Sequence, residues 1–195
     1  MEPPTSTFAL LEKAREGDEE ALSRAFERHR RRLAVLIHFK LGARDSNATE
    51  DVVQETLLRA FRAVDRFTYQ SPGSFFRWLV SIADHVIIDR ARYHARGRRD
   101  GEETPFRSES NPNGPEPADS RTPSRLFAQQ EALDRLLGLL TALPEHYRQA
   151  ILMAKIEGLS TAEMAERLGK SRDEVAQLVF RAVKRFRALY EAAQT

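Results

Sequence analysis

Apolar residues recur at intervals of three and four along most of the chain, which is the period of a helix with one buried face. The pattern predicts a short and a longer helix between Ser6 and Leu41, then a third over residues 50–67. The third helix has an expected buried stripe of Val53, Leu57, Ala60, Phe61, Val64 and Phe67. A loop rich in Pro, Gly and hydroxyl groups, residues 68–74, precedes a fourth helix that begins at Phe75.

The character of the sequence changes after residue 99, where Pro, Ser, Asn, Gly and Glu replace the apolar stripe. Between Asp100 and Asp119 six acidic residues oppose a single Arg107, a composition too charged and too polar to fold alone. This change predicts a first domain over residues 1–99, a flexible acidic linker over 100–124 and a second domain over 125–195.

The second domain begins with a helical pattern from Leu126 to Thr141. A second helix follows Pro144, a residue suited to the first turn of a helix, and ends at Gly158. No long alternation typical of a strand occurs anywhere in the sequence. We therefore expect an all-α protein with two small helical domains joined by the linker.

Two capped helices joined by a tight turn follow Gly158, an arrangement typical of a helix-turn-helix. Ser160 with Glu163, and Ser171 with Glu174, form S-x-x-E capping boxes, and Gly169 can adopt the geometry that ends the first helix. The second helix is expected to bury Val175, Leu178, Val179, Ala182 and Phe186. It leaves polar and charged residues for a DNA groove, namely Arg172, Asp173, Gln177, Arg181, Lys184 and Arg185. An ordinary helical hairpin with a solvated cationic face is the alternative.

The composition narrows the class of protein. The chain has 195 residues, 41% of them hydrophobic, a net charge of +2 and no cysteine, which excludes disulfides and thiol catalysis. No apolar run is long enough to span a membrane and no secretory signal is apparent, so we expect a cytoplasmic protein without membrane insertion.

Catalytic and metal-binding motifs are missing from the sequence. There is no P-loop, no nucleophile elbow and no H-E-x-x-H pattern, so we expect no enzyme activity and no cofactor. His85, Asp89 and His94 are the only candidates for a metal site, and because no third ligand position is defined we expect no metal.

Two further stretches suggest binding surfaces. Asp51, Gln54, Glu55 and Leu58 share one face of the third helix, which could dock a partner or simply face solvent. Residues 76–99 carry six arginines against two aspartates, with aromatic residues at the start, a combination that suits single-stranded nucleic acid. Trp78 and Leu79, however, are expected in the core.

Taken in order, these stretches resemble a bacterial sigma factor of the extracytoplasmic-function (ECF) group of the sigma-70 family. AREGDEEALSRAFERHRRRL resembles the opening of the group's first conserved region, and EDVVQETLLRAFRAVDRF resembles its core-binding helix. GSFFRWLVSIADHVIIDRAR resembles its promoter-melting segment. LTALPEHYRQAILMAKIEGLSTAEMAERLGKS resembles the start of its promoter-reading C-terminal domain.

The resemblance implies a sigma factor that binds core RNA polymerase, directs it to promoters and promotes their opening, while the polymerase makes the phosphodiester bond. The partners implied are the clamp helices of the largest polymerase subunit, the flap of the second-largest subunit, promoter DNA and a possible anti-sigma factor. The implied polymerase contacts are Asp51, Gln54, Glu55 and Leu58. The implied minus-ten contacts are Ser74, Phe75, Arg77, His85, Arg90, Arg92 and Arg96. The implied minus-thirty-five contacts are Lys170, Ser171, Arg172, Gln177, Arg181 and Lys184.

The chain also departs from the group's pattern. Asp84-His85 stands where an Arg-Asn pair is common, which places a carboxylate near the expected path of DNA phosphates. Ala176 and Leu178 stand where basic or polar residues are usual, so fewer phosphate contacts are expected. These departures keep two alternatives open: a stand-alone helix-turn-helix regulator, and a sigma-like adaptor that does not initiate transcription.

Overall fold

The computed structural model describes residues 6–42, 46–100 and 123–194. Within these ranges the secondary structure is helical, with no strand, as the sequence predicts. The first four helices are α1 Thr7–Arg15, α2 Glu19–Lys40, α3 Ser46–Ala63, extended by a 3-10 turn at Val64–Arg66, and α4 Ser74–Asp100. The others are α5 Pro123–Thr141, α6 Glu145–Ile151, which continues as a π-helix over Leu152–Glu157, α7 Thr161–Leu168 and α8 Arg172–Ala192.

The chain divides into two compact units between Asp119 and Ser120. Helices α1 to α4 belong to the first unit and α5 to α8 to the second. Most of the predicted linker lies outside the described residues. Helix α4 reaches Asp100 and α5 begins at Pro123, so helices extend to both ends of that stretch.

The core of the first unit lies among α2, α3 and α4. Residues of all three helices are fully enclosed there: Leu33, Ile37, Val52, Val53, Phe76 and Leu79. Aromatic rings close the end of the core beside the loop before α4. The Phe67 ring lies 5.3 Å from that of Phe75 and 4.9 Å from that of Trp78, centroid to centroid. Packing of this density fixes the start of α4 against α2 and the end of α3.

Helix α3 buries most of the predicted stripe: Val53, Ala60 and Phe67 are buried, and Leu57 and Val64 are half-buried. Phe61 was expected in the buried stripe, but 49% of its surface is exposed. Val52 and Thr56 are fully buried in addition, because α3 packs against both α2 and α4 and its buried face is therefore broad. Thr56 satisfies its hydroxyl within the helix by donating to the carbonyl of Val52 at 2.6 Å, which makes its burial acceptable.

The helix-turn-helix prediction for the second unit is confirmed in its local geometry. The amide of Ser160 donates to the Glu163 carboxylate at 2.7 Å, and the amide of Glu163 donates to the Ser160 hydroxyl at 3.2 Å. Ser171 and Glu174 repeat the same exchange at the start of α8. Gly169 ends α7 with a φ of +62°, a left-handed conformation that suits glycine.

The core of the second unit holds this turn in place. Met164 of α7 and Val175 and Ala182 of α8 are at most 1% exposed, as is Leu140 at the end of α5. Because Val175 and Ala182 are both inward, the opposite side of α8 faces solvent along its whole first half.

Candidate functional site

The candidate polymerase contacts form a stripe on α3, which we call the α3 surface: Asp51, Gln54, Glu55 and Leu58. Asp51 and Gln54 are exposed, while Glu55 and Leu58 are half-buried. The carboxylate side chains differ in access, since that of Asp51 is 61% exposed and that of Glu55 only 18%. The exposed ring of Phe61 lies three residues beyond Leu58 and continues the stripe, so the sequence analysis placed a surface aromatic in the core.

Arginines tie the α3 surface to α4. Arg59 donates from Nε to Glu55 at 2.7 Å and from Nη1 to Asp89 of α4 at 2.9 Å. The hydrogen bond from Arg59 is the main cause that lowers the pKa of Asp89, and the same bond raises the pKa of Arg59. Arg90 of α4 donates to Asp51 at 3.0 Å. The α3 surface and α4 are therefore oriented by shared ion pairs.

The first two candidate minus-ten residues lie inside the fold. Ser74 is 8% exposed, and its hydroxyl accepts hydrogen bonds from the amides of Gln70 and Ser71 at 3.3 and 3.4 Å. Phe75 is 1% exposed and packs against Phe67. The expectation that these two side chains face nucleic acid is corrected, because they hold the preceding loop and the end of the core.

The remaining candidates on α4 include an exposed polar stripe. Arg77 and Arg92 are exposed, and Arg77 donates to the Ser71 hydroxyl at 3.1 Å. His85 is exposed, and its Nδ1 lies 2.6 Å from the carbonyl oxygen of Ser81. Because a carbonyl oxygen only accepts, Nδ1 is the donor in this contact. The side chain of Arg90 is 20% exposed.

Two further α4 residues complete the comparison with the sequence. The side chain of Arg96 lies outside the described residues. Asp84, whose carboxylate was expected to disturb phosphate binding, forms an ion pair with Lys40 at the end of α2 at 2.7 Å. Lys40 was not among the predicted site residues, because it lies 44 residues from Asp84 in the chain and no local pattern links the two.

The candidate minus-thirty-five residues lie at the start of α8 and form what we call the α8 surface. All are exposed: Lys170, Ser171, Arg172, Gln177, Arg181 and Lys184. The hydroxyl of Ser171 accepts from the amide of Glu174 in the helix cap. The hydroxyl and the amide of Ser171 both donate to the Glu174 carboxylate, and these two hydrogen bonds lower the pKa of that carboxyl. The main role of the Ser171 side chain is therefore to cap the start of α8.

Apolar residues complete the α8 surface. Phe180 is 70% exposed and lies outside the stripe that packs inward, which the sequence analysis overlooked although its position on the helix indicates it. Ala176, four residues earlier, is exposed as well. Leu178 is half-buried on the inward side, so this departure from the usual pattern contributes to the packing of the unit.

Metal-binding clusters and membrane-spanning helices are both absent from the part of the chain that the structure describes. No group of three or more His, Cys, Asp or Glu side chains there could hold a metal ion. None of the helices described is long and apolar enough to cross a membrane.

Comparison with protein families gives two matches in the order of the two units. Residues 25–97 match the model described as Sigma-70 region 2, and residues 133–186 match Sigma-70, region 4. The first match contains α3 and most of α4, and the second contains the helix-turn-helix.

Curated relatives agree with both matches. The chain is 28% identical over 175 residues to the ECF RNA polymerase sigma factor BldN of Streptomyces coelicolor, covering 90% of this chain and 62% of that protein. It is 28% identical over 177 residues to the ECF RNA polymerase sigma-E factor of Escherichia coli strain K12, covering 89% of this chain and 88% of that protein. The sigma-E factor of Salmonella typhimurium strain LT2 gives the same identity and coverage.

Solved structures with similarity include CnrH in complex with the cytosolic domain of CnrY. That match has a TM-score of 0.44 at 23% identity and covers 97% of this chain and 99% of the solved one. The sigma factor RpoE in complex with the anti-sigma factor NepR from Bartonella quintana matches with a TM-score of 0.41 at 22% identity, covering 85% and 91%.

Proposed function

The chain belongs to the sigma-70 family of RNA polymerase sigma factors, in its ECF group, and we propose a division of labour among its three surfaces. Sigma factors of this family bind core RNA polymerase and direct it to promoters, and the family is not known for catalysis of its own. Promoter binding and polymerase binding are then properties of surfaces rather than of an active site. The place of action is the cytoplasm, where core polymerase is found.

The α3 surface is proposed to dock the clamp helices of the largest polymerase subunit. Its support is an exposed carboxylate at Asp51, an exposed amide at Gln54 and a partly covered carboxylate at Glu55, all on one side of a helix whose other side is buried. Leu58 and Phe61 add apolar area along the same stripe. Carboxylates beside apolar side chains suit a basic, amphipathic partner helix.

The loop before α4 and the outward stripe of α4 are proposed to bind the minus-ten element. The Ser74 hydroxyl accepts hydrogen bonds from two backbone amides of this loop and so fixes its shape. A fixed loop supports the proposal of a preformed pocket for an extruded base. Arg77 and Arg92 supply exposed cations for phosphates, and the exposed ring of His85 offers its second nitrogen, Nε2, for a hydrogen bond.

The α8 surface is proposed to read the minus-thirty-five element in the major groove. The single observation that carries this proposal is a twice-capped helix-turn-helix whose second helix begins with exposed Lys170 and Arg172 and turns Gln177 and Arg181 outward. Helix N-termini and cations position phosphates, while Gln and Arg reach base edges. Phe180, exposed between them, is added to this surface because an aromatic ring can contact thymine methyl groups. The flap of the second-largest polymerase subunit is proposed as a further partner of the second unit.

An anti-sigma factor is proposed as a regulatory partner, since such inhibitors are common in this group. A pull-down with the full chain from resting cells is expected to recover this inhibitor. The chain in complex with the inhibitor is expected to lose its binding to core polymerase. Recovery of polymerase subunits alone would contradict this part of the proposal.

Run-off transcription with core polymerase from the same source tests the main proposal. The full chain is supplied to core enzyme on a template library, beside a variant with Asp51→Ala, Gln54→Ala and Glu55→Ala. A matched control carries Glu19→Ala, Glu20→Ala and Ser23→Ala, which removes two carboxylates and one neutral polar group from exposed positions of α2.

Specific initiation that the α3 variant abolishes and the α2 control retains is the expected result. Binding of polymerase without initiation on any template would indicate an adaptor. A chain that ignores polymerase and shifts duplex DNA by itself would indicate a stand-alone regulator.

A further inference from the structure

Ile88 is an exception among the apolar residues of α4. The large apolar side chains of this helix are otherwise buried or half-buried wherever the structure describes them, whereas 48% of the Ile88 surface is exposed. An exposed aliphatic side chain contributes little to folding at such a position, and many polar residues would fit equally well. Its surroundings therefore decide whether it has a role.

Ile88 lies within the polar stripe of α4. It follows His85 by three residues and precedes Arg92 by four, and these offsets place all three on one side of the helix. Ser81 and Arg77 continue the same stripe toward the start of α4, and both are exposed. Along the helix, Ile88 therefore lies between groups that can form hydrogen bonds with phosphates and base edges.

The two carboxylates nearest to Ile88 along the helix both form ion pairs with residues of other helices. Asp84 pairs with Lys40 of α2 at 2.7 Å, and Asp89 pairs with Arg59 of α3 at 2.9 Å. The stripe around Ile88 therefore keeps the positive charge of Arg77 and Arg92 without a local negative excess. This balance suits a polyanion.

A protein partner fits the surroundings of Ile88 less well. Protein interfaces centre on contiguous clusters of large apolar side chains. Apart from the small Ala91, the neighbours of Ile88 on the stripe are polar or charged: Arg77, Ser81, Asp84, His85 and Arg92. An isolated aliphatic group in a cationic setting is instead what readout of DNA uses, with one apolar contact placed between phosphate contacts.

We propose that Ile88 is a specificity-determining residue that reads a thymine in the minus-ten element through its C5-methyl group. The side chain of isoleucine has no donor, no acceptor and no ring to stack on a base. Among the four bases only thymine carries a C5-methyl group, and this group stays accessible when the strand is melted, so thymine is the base that Ile88 can distinguish. This inference rests on the proposed function and adds a named base contact to it.

The test replaces thymines by deoxyuridine, which removes only the methyl group. Promoters are first selected from a random template pool with the holoenzyme formed by core polymerase and the full chain. Each thymine of the minus-ten element is then replaced in turn, and binding is compared for the native chain, Ile88→Val and Ile88→Asn. Ile88 is half exposed, so both variants should fold, and thermal unfolding of each checks this point.

At one position the native chain is expected to bind the uracil template about fourfold more weakly, the factor for one buried methyl group. Ile88→Val should keep that difference and Ile88→Asn should lose it. Equal binding of thymine and uracil templates by the native chain at every position would overturn the inference. So would an Ile88→Asn holoenzyme that keeps the same thymine preference, or one that loses polymerase affinity alone. If the native holoenzyme selects no promoter at all, the proposed function fails first, and the Ile88 inference fails with it.

Discussion

Arg90 of α4 donates a hydrogen bond to the carboxylate of Asp51 on α3, with Nη2 and Oδ2 3.0 Å apart. One of these residues belongs to the candidate polymerase surface and the other to the candidate minus-ten set. Each could act in binding, or they could serve mainly to hold α3 and α4 together, and the two roles have different energetic consequences.

A double-mutant cycle with Asp51→Asn and Arg90→Gln separates these roles. Because the Asp51 side chain is 61% exposed, the pair is expected to contribute only about 0.2–1 kcal/mol to the free energy of unfolding, measured by urea denaturation. Affinity for core polymerase should fall about tenfold or more with Asp51→Asn and much less with Arg90→Gln. Equal effects of the two variants on polymerase affinity would assign the pair a purely structural role.

Lys40 is expected to matter for promoter opening although it was absent from the candidate set. Lys40→Ala leaves the Asp84 carboxylate without its ion-pair partner beside the stripe that is proposed to bind DNA, so repulsion of phosphates should lower open-complex formation several-fold at low salt. Combining Lys40→Ala with Asp84→Asn should restore much of the loss. Permanganate footprinting of the melted strand measures this, and a double variant as defective as Lys40→Ala alone would show that Lys40 acts directly.

Ser171 is expected to affect stability before it affects DNA binding. Ser171→Ala removes the hydroxyl that accepts from the Glu174 amide at 3.2 Å, and loss of such a cap costs about 1 kcal/mol. Chemical denaturation followed by a probe in the second unit measures this cost. Ser171→Asp keeps an oxygen acceptor and should retain the stability, which serves as the control. An unchanged midpoint for Ser171→Ala would indicate that the cap is not needed.

The lowered pKa of His29 predicts that the first unit loses stability in mild acid. Burial, and then the positive charges of Arg32 and Arg28, lower the pKa of His29 to about 4 in the folded chain. The unfolded chain binds a proton near pH 6.5, so between pH 6.5 and 4 it holds more protons than the folded chain. The free energy of unfolding should therefore decrease as the pH is lowered through this window. At pH 5 it should be about 2 kcal/mol lower than at neutral pH.

Urea denaturation at pH 7 and pH 5 measures the effect, and His29→Gln provides the comparison. The ring of His29 lies 5.5 Å from that of Phe75 and 5.7 Å from that of Phe76, so the variant loses some stability at pH 7. Its dependence on pH should nevertheless be flatter than that of the native chain. Parallel pH profiles for the two chains would rule out His29 as the cause.

The sequence by itself determined the local architecture of this protein. A capping box joins residues three apart, and Gly169 needs only its own backbone freedom, so both helix starts and the turn of the helix-turn-helix can be read from adjacent letters. Helical periodicity likewise gave the succession of helices, and the order of motifs gave the family. These signals depend on residues that are close in sequence, so every interacting group lies within the segment itself.

Only the tertiary structure decided which face of each helix remains available. Phe61 is exposed and Phe75 buried because of how α3 and α4 meet other helices, and no pattern within either segment contains that information. The same holds for Asp84, which forms an ion pair with Lys40 from 44 residues away. Burial and ion pairing depend on groups that only folding brings together, so the sequence could assign each candidate residue to a helix but could not determine which side chains are accessible.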